Sequence, residues 1–378
     1  MKRTILNIAV GLLRAVYAPH KLFPTKNRVL YLSRQRNNTT EEIDLLLKRI
    51  QELDPSIEVH AISRKIPAGL LGKLGYCIHL GTTELHYLAT SKVVLLDGYS
   101  IPVSVLTHKD SLTVVQIWHA LGILKKFGRM VADEDEGYDQ DIIEIMHMHA
   151  NYNHILCSSE FCVPFYAEAF GYPESMVHVM PLPRVDMLKN TERTEEKRAA
   201  FFAAYPALAE KQTVLYAPTL RKQRNASAHI EHLRAALDPQ RYNLVVKLHP
   251  TEGPAPELPG VFTCPDFSAV DMLSVASAVI TDYSAICFEA AVADVPVYFY
   301  TYDLDEYMQE RGFCIDFEHE MPHVPVRTAK EVAQQISQGT GEQVALNKFV
   351  EKFVAHTTDA TDNIAHFVIS LCAKSHTE

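Results

Sequence analysis

Short apolar runs recur along the chain, each followed by polar residues and then by a stretch of helical periodicity. "RVLYLS" (Arg28–Ser33), "SIEVHAIS" (Ser56–Ser63), the end of "ELHYLATSKVVLLDG", "LTVVQIWHA", "YNHILCSSE" and "MVHVMPLPRVDML" have strand character. Between the first two, "TEEIDLLLKRIQEL" (Thr40–Leu53) predicts an amphipathic helix with Thr40 at its N-cap. A charged, then alanine-rich stretch over residues 190–212 reads as a linker and helix. A second alternation follows in "TVLYAPT", "YNLVVKLHP", "GVFTCPD", "AVDMLSVASAVITDYS" and "ICFEAAVADVPVYFY". Strands separated by helices predict parallel sheets with right-handed crossovers. The expected fold class is α/β: two doubly wound Rossmann-type lobes joined near residue 190, with an interlobe cleft.

The N-terminal stretch has a different pattern. Ile5, Ile8, Ala9, Leu12, Leu13 and Val16 share one helical face, with Arg3, Asn7 and Arg14 opposite. Between Met1 and Arg28 there are six basic residues and no acid. The apolar run is too short to span a bilayer. It can be an interfacial membrane helix or a helix packed on the domain. Asn7 and Arg14 interrupt it as a signal peptide. "GLLGKLGY" (Gly69–Tyr76) is either apolar surface beside that helix or core. The expected organisation is 1–27 as a basic membrane-association segment and 28–189 as an N-terminal acceptor-binding lobe. Residues 190–350 form a C-terminal donor-binding lobe, and 351–378 a C-terminal helix able to cross back to the first.

Length changes the picture little: 378 residues suit two domains. The formal charge, 36 basic against 46 acidic residues, is −10 and argues against a nucleic-acid partner. Seven scattered cysteines, with no CxxC pair, read as reduced thiols.

Candidate chemistry gathers where strands stop. Trp118 and His119 end "VVQIWHA", and Lys125 and Lys126 follow. "LYAPTLRKQR" ends in Thr219, Arg221, Lys222 and Arg224; "LVVKLHP" ends in Lys247 and His249. In "AVITDYSAICFEAA", Thr281, Asp282, Tyr283 and Ser284 lie between a strand and a helix that Ser284 can cap, leaving N–H groups for an anion. Each feature has a bland reading: a hydrogen-bonded strand-end histidine, a solvated loop, a capped helix start. Together at cleft-facing strand ends they point to a phosphate-bearing ligand and a proton transfer. "DEDEGYDQD" reads as a solvated acidic loop. In "HMHANYNH", His147 and His149 are two apart and would diverge on a helix, which argues against zinc.

In this order, "VVQIWHALGILKKFG", "PLPRVDML", "LYAPTLR", "VVKLHP", "VITDYSAICFEAAVADVPVYFYTYDLDEY" and "RGFCIDFE" resemble the CDP-glycerol glycerophosphotransferases of wall teichoic acid synthesis. The resemblance covers residues 84–318. Ala120 replaces a common Gly, Leu220 an aromatic and Ala285 a second Ser of the family pattern. The resemblance implies a GT-B-like fold and transfer of glycerol phosphate from CDP-glycerol to an undecaprenyl-diphosphate-linked disaccharide, releasing CMP. It further implies action as a primase, on the cytoplasmic face of the membrane, held peripherally by the N-terminal helix.

His119 is then the expected base, and His249 would bond or protonate the donor phosphate. Arg221 and the amides around Ser284 would neutralise the diphosphate, with Thr281, Asp282, Tyr283 and Lys247 beside it. Glu289 would take ribose hydroxyls or be a helix-surface acid. Arg184 and Asp186 would contact phosphate or pair with each other. Arg311 would reach the donor, and Lys125 the lipid diphosphate or membrane. No cofactor and no tightly bound metal are expected. The alternatives are a CDP-ribitol-using or polymerising member of the family, a UDP-sugar-dependent GT-B glycosyltransferase, and an inactive membrane scaffold.

Overall fold

A computed structural model describes residues 2–134, 137–220, 226–248, 256–339, 342–355 and 357–373. The chain divides into two compact units. The first comprises residues 1–120, 127–184 and 359–378; the second comprises 121–126 and 185–358. The segment 121–126, with Lys125 and Lys126, therefore groups with the second unit.

The first unit is built on six parallel strands: β1 (Arg28–Ser33), β2 (Glu58–Ser63), β3 (Val93–Leu96), β4 (Thr113–Gln116), β5 (His154–Cys157) and β6 (Val177–Val179). Their order is β2-β1-β3-β4-β5-β6. Inner strands of a sheet covered on both faces read as unbroken apolar runs, and Val29, Leu30 and all of β3 are fully buried. The helix Glu41–Leu53 buries Ile43, Leu46, Leu47 and Ile50. Thr40 is its N-cap by backbone geometry, without a side-chain cap bond. The C-terminal helix Ala360–Ala373 packs on that helix, with Asp362 accepting from Arg49 Nε at 2.7 Å and Nη2 at 2.9 Å.

The second unit has five parallel strands: β7 (Gln212–Tyr216), β8 (Tyr242–Val246), β9 (Val261–Phe262), β10 (Ala276–Thr281) and β11 (Val297–Phe299). Their order is β11-β10-β7-β8-β9. Val214, Tyr216, Leu244, Val246 and Ile280 form part of its core with Ile230 and Leu233 from the helix Ala226–Ala236. The expected α/β class, two doubly wound Rossmann-type units, is what the structure shows. The stretch expected as a linker and helix is the helix Thr191–Ala204, capped by the Asn190 side chain accepting from the Arg193 N–H at 2.9 Å.

The N-terminal helix Lys2–His20 carries an apolar arc wider than one packing face needs. Val10 and Tyr17 are buried, and Leu6 and Leu13 half-buried, against the first unit. Ile5, Ile8, Leu12 and Val16 point outward, with Leu12 64% exposed. "GLLGKLGY" is surface rather than core: in the helix Leu70–His79 only Tyr76 is buried, and Leu70 and Leu71 are each 84% exposed. Both helices adjoin the π-helical turn Leu80–Glu84. A side chain at Gly81 would touch Val16, and His20 Nε2 lies 2.8 Å from the Gly81 carbonyl oxygen.

Gly128 is required by close packing. Its φ is +59°, and an added Cβ would run into the Ala169 backbone carbonyl. Gly128→Ala should cost about 1–3 kcal/mol for left-handed backbone and about as much again for overpacking. A fall in the denaturant midpoint checks this; an unchanged midpoint would show that the loop relaxes freely.

Candidate functional site

Each sheet reverses its strand order once, and open α/β sheets bind ligands where that happens, outside the carboxyl ends of the strands. In the first unit the reversal lies between β1 and β3; in the second it lies between β7 and β10. His119 lies close to the first of these places, and Thr281, Asp282, Tyr283 and Ser284 directly follow β10 at the second.

At the first, Asp97 directly follows β3. Its Oδ2 accepts from Tyr31 Oη and Ser33 Oγ of β1, each at 2.8 Å. Burial raises the Asp97 pKa; the two hydroxyl donors and the nearby His119 ring oppose that rise. Strand β4 stops at Gln116, whose side-chain oxygen accepts from the Trp118 N–H at 2.9 Å. Trp118 then adopts φ +56°, a left-handed conformation costing on the order of 1–3 kcal/mol for a bulky residue. The reversal brings His119 back over the strand end, where its Nδ1 lies 2.7 Å from the Asp97 carbonyl oxygen. A carbonyl only accepts, so Nδ1 carries the proton and Nε2 keeps its lone pair.

His119 is an exposed residue, yet protein crowds its ring and desolvation holds its pKa below the usual 6.5; the Asp97 carbonyl and carboxylate push the other way. Trp118 packs beside the ring, with centroids 4.3 Å apart, and itself rests edge-on against Phe170 at 5.3 Å. Arg184 anchors the same turn. Its Nη1 donates to the His119 carbonyl at 3.2 Å, and Nε and Nη2 form a two-pronged pair with Glu42 at 2.6 Å each. Asp186 is half-buried in the first turn of the helix Arg184–Lys189.

At the second switch point the TDYS segment is largely internal scaffolding. Thr281 Oγ1 donates to the Ala217 carbonyl at 2.7 Å. Asp282 Oδ1 accepts from the N–H groups of Thr219 (2.8 Å) and Tyr283 (2.5 Å), tying the loop after β7 to the loop after β10. Tyr283, fully buried, donates to Asp303 Oδ1 at 3.0 Å and stacks on Tyr307 at 4.0 Å. The cap of the following helix, Ile286–Val292, falls on Ala285 and not on Ser284, with no side-chain cap bond. The Cys287 and Phe288 N–H groups are taken by the backbone carbonyls of Ser284 and Ala285, so the Ser284 hydroxyl is left half-exposed at the surface of the turn.

Other expectations fare variously. Glu289 is not a surface acid: it is 4% exposed. Lys247, just past β8, donates to the Cys264 carbonyl at 2.5 Å, and burial lowers its pKa. Lys125 bridges to Phe313 and lies 5.7 Å above the Tyr307 ring. Arg311 ends the helix Leu304–Glu310, half-buried. His249 and Arg221 lie outside the described residues. His147 and His149 occupy left-handed turn positions rather than a helix, and His154 lies against His178 at 2.9 Å. Among the described residues no three His, Cys, Asp or Glu side chains form a metal-binding group.

Sequence reasoning missed Asp97 and Glu42. Asp97 carried the signal used for the others, a polar residue ending the apolar run VVLL. Glu42 carried none, since its partner lies 142 positions away.

The family model described as CDP-Glycerol:Poly(glycerophosphate) glycerophosphotransferase matches residues 15–370. A teichoic acid ribitol-phosphate primase of Bacillus spizizenii is 30% identical over 98% of both chains. A teichoic acid glycerol-phosphate primase of the same organism is 27% identical over 80% of this chain and 78% of its own. Among solved structures, the wall teichoic acid polymerase TagF superposes with a TM-score of 0.73 at 16% identity, covering 98% of this chain and 97% of that one.

Proposed function

The chain belongs to the CDP-glycerol:poly(glycerophosphate) glycerophosphotransferase family, and from that premise we propose that it transfers glycerol phosphate from CDP-glycerol to a lipid-linked teichoic acid acceptor, as a primase. The observation that carries the reading is the His119 tautomer: a protonated Nδ1 held by a carbonyl leaves Nε2 as a base at the carboxyl end of the first sheet. An acceptor hydroxyl gives its proton to Nε2 while its oxygen forms a bond to the phosphorus that bears glycerol. The bond from that phosphorus to the CMP oxygen breaks, and CMP leaves with the electron pair.

Donor-side roles fall to the second unit. Asp282, Thr281 and Tyr283 hold the loop in place, and Ser284 with neighbouring amides meets the diphosphate. Glu289 accepts from ribose hydroxyls, while Lys247, Arg221, His249 and Arg311 supply the remaining polar contacts. Lys125 adds positive charge, and Arg184 with Asp186 orders the chain at the end of the first unit.

A second reading, with CDP-ribitol as donor, is favoured by the relative matched along 98% of both chains, a ribitol-phosphate primase. One assay tests both: CMP release from CDP-glycerol and from CDP-ribitol with lipid-linked acceptor analogues. Release from neither, with a UDP-sugar instead protecting the protein from heat, would overturn the proposal.

The outward apolar arc of the helix Lys2–His20, beside the equally exposed leucines of Leu70–His79, supports peripheral attachment to an anionic membrane face. No described helix is long and apolar enough to cross a membrane. Ile8→Glu with Leu12→Glu should abolish sedimentation with anionic vesicles and leave the melting temperature unchanged, because both side chains are already in solvent. Undiminished sedimentation would remove the helix from the proposal.

A further inference from the structure

The helix Leu70–His79 runs without a break into the π-helical turn Leu80–Glu84 and the helix Leu85–Thr90. Such turns inside helices occur often at functional sites. This one ends on Glu84, a carboxyl only 4% exposed, beside the fully buried Leu85 and Leu88. Burial pushes the Glu84 pKa up to about 7, and the charge of Arg34 opposes the rise. Elsewhere in this unit arginines close on their carboxylates, Arg28 on Glu58 at 2.8 Å and Arg184 on Glu42 at 2.6 Å. Arg34 does not close on Glu84. Among the described residues Glu84 makes no hydrogen bond or ion pair, and the buried Arg34 Nε has no partner. Buried polar groups are normally satisfied, so a carboxyl and a guanidinium that sense each other without touching mark a place where something else binds.

More groups gather there. Burial raises the Tyr76 pKa, the Glu84 charge adds to the rise, and Arg34 and Arg64 oppose it. Burial and then the Arg64 charge lower the His79 pKa. His20 of the N-terminal helix lies against the same turn, at the Gly81 carbonyl. Arg34 directly follows β1 and Arg64 directly follows β2, so two guanidinium-bearing residues stand at the carboxyl ends of neighbouring strands, next to the first switch point. Their loops are pinned together. The Arg64 N–H donates to the Ser33 carbonyl at 3.0 Å, Ser63 Oγ to the Arg36 carbonyl at 2.9 Å, and the Lys65 N–H to Asn37 Oδ1 at 2.9 Å. Arg34 Nη2 is held by the Tyr99 carbonyl at 2.7 Å. Arg64 is half-buried, and its guanidinium has no hydrogen-bonded partner among the described residues. Two guanidiniums, a phenol and a readily protonated carboxyl match an oxyanion of more than one charge. The outer side of the same helix carries Leu70, Leu71, Leu74 and Ile78, each more than half exposed. An anion bound here therefore sits next to a lipid-facing surface.

We propose that Arg34, Arg64 and Tyr76, backed by Glu84, bind the diphosphate head of a polyprenyl lipid. This deepens the transferase reading by naming the residues that hold the acceptor's lipid end, and it rests on that reading only for the identity of the lipid as an acceptor. Glu84 gives the site a signature. A bound anion favours the neutral form of a neighbouring carboxyl, so binding takes up a proton, and the protonated Glu84 can donate to a phosphate oxygen.

Calorimetry of the full chain with farnesyl diphosphate tests this, with excess CDP present to fill a donor site in the second unit. Binding should be saturable, farnesol should give none, and dioctanoyl phosphatidylglycerol, a phosphodiester, should bind far more weakly. Arg64→Gln should weaken farnesyl diphosphate about tenfold or more. Lys73→Gln, the same charge change on an exposed residue of the helix, should leave it unaltered. Tyr76→Phe should also weaken binding, and keeps the test decisive if the arginine variant fails to fold. Glu84→Gln should keep the affinity but lose the proton uptake, read at neutral pH as a binding heat that no longer depends on the ionisation heat of the buffer. Four results would each sink the inference: no saturable binding, farnesol binding as well as its diphosphate, equal losses in Arg64→Gln and Lys73→Gln, or proton uptake unchanged in Glu84→Gln. Phosphatidylglycerol binding as tightly as the diphosphate would make this a phospholipid site and refute the polyprenyl assignment. Farnesyl diphosphate binding without CMP release from either CDP-polyol would count against the transferase reading and leave the site standing.

Discussion

His119→Ala is expected to lower kcat/KM for polyol-phosphate transfer by about 10²–10⁴-fold, the range for a positioned base, while CDP-polyol binding stays nearly intact. The separation follows from placement. His119 belongs to the first unit, at the β4 end, whereas the turn around Ser284, proposed to meet the diphosphate, belongs to the second. Calorimetry with the donor and turnover with an acceptor analogue read the two quantities independently. Equal loss of both would remove the base assignment.

As the proposed base, the same residue should set a pH limb. A base works only when neutral, and desolvation holds the His119 pKa below 6.5. Activity should therefore persist below that pH and fall only as acidity reaches the lowered value. Asp97 raises the His119 pKa through its charge, so Asp97→Asn should move the limb further to acid while the Nδ1 contact, made to the Asp97 backbone, survives. A limb at or above 6.5 in the parent chain would mean that solvent reaches the ring too freely for burial to govern it.

The arrangement behind that limb was only partly legible in the sequence. Strand β1 was readable to the residue, and β7 to within three residues at its end, because parallel strands buried on both faces are written as contiguous apolar runs. The place where each run stops marked His119, Thr219 and Thr281–Ser284 without any fold in hand. What could not be read was direction. The TDYS segment looked like four groups facing a ligand, yet Asp282 and Tyr283 turn inward, because the two loops at a switch point need their own N–H and O–H groups satisfied before they can hold anything. The N-terminal helix shows the complementary limit. Its apolar arc was visible, but only packing shows that Val10 and Tyr17 face the protein while Ile8 and Leu12 do not. Glu42 and Arg184 were invisible as a pair for a simpler reason: nothing local links residues so far apart in the chain.

That pair carries the largest expected effect on stability. Arg184 and Glu42 side chains are 14% and 10% exposed, and their two contacts are 2.6 Å each. Arg184→Ala should cost about 3–5 kcal/mol, because it strands a buried carboxylate. Glu42→Ala should cost a similar amount for the opposite charge. The double variant should be far less damaging than the sum, since neither charge is then left alone; a coupling of about 0.5–3 kcal/mol is the range for residues in contact. Urea denaturation of the four proteins measures it. Activity adds a readout that mere stability would not move. Arg184 also holds the His119 carbonyl, so the double variant should regain stability without regaining kcat. Recovery of both together would reduce Arg184 to a structural ion pair; additive losses would show that the two charges are already well solvated and the pair is not a unit.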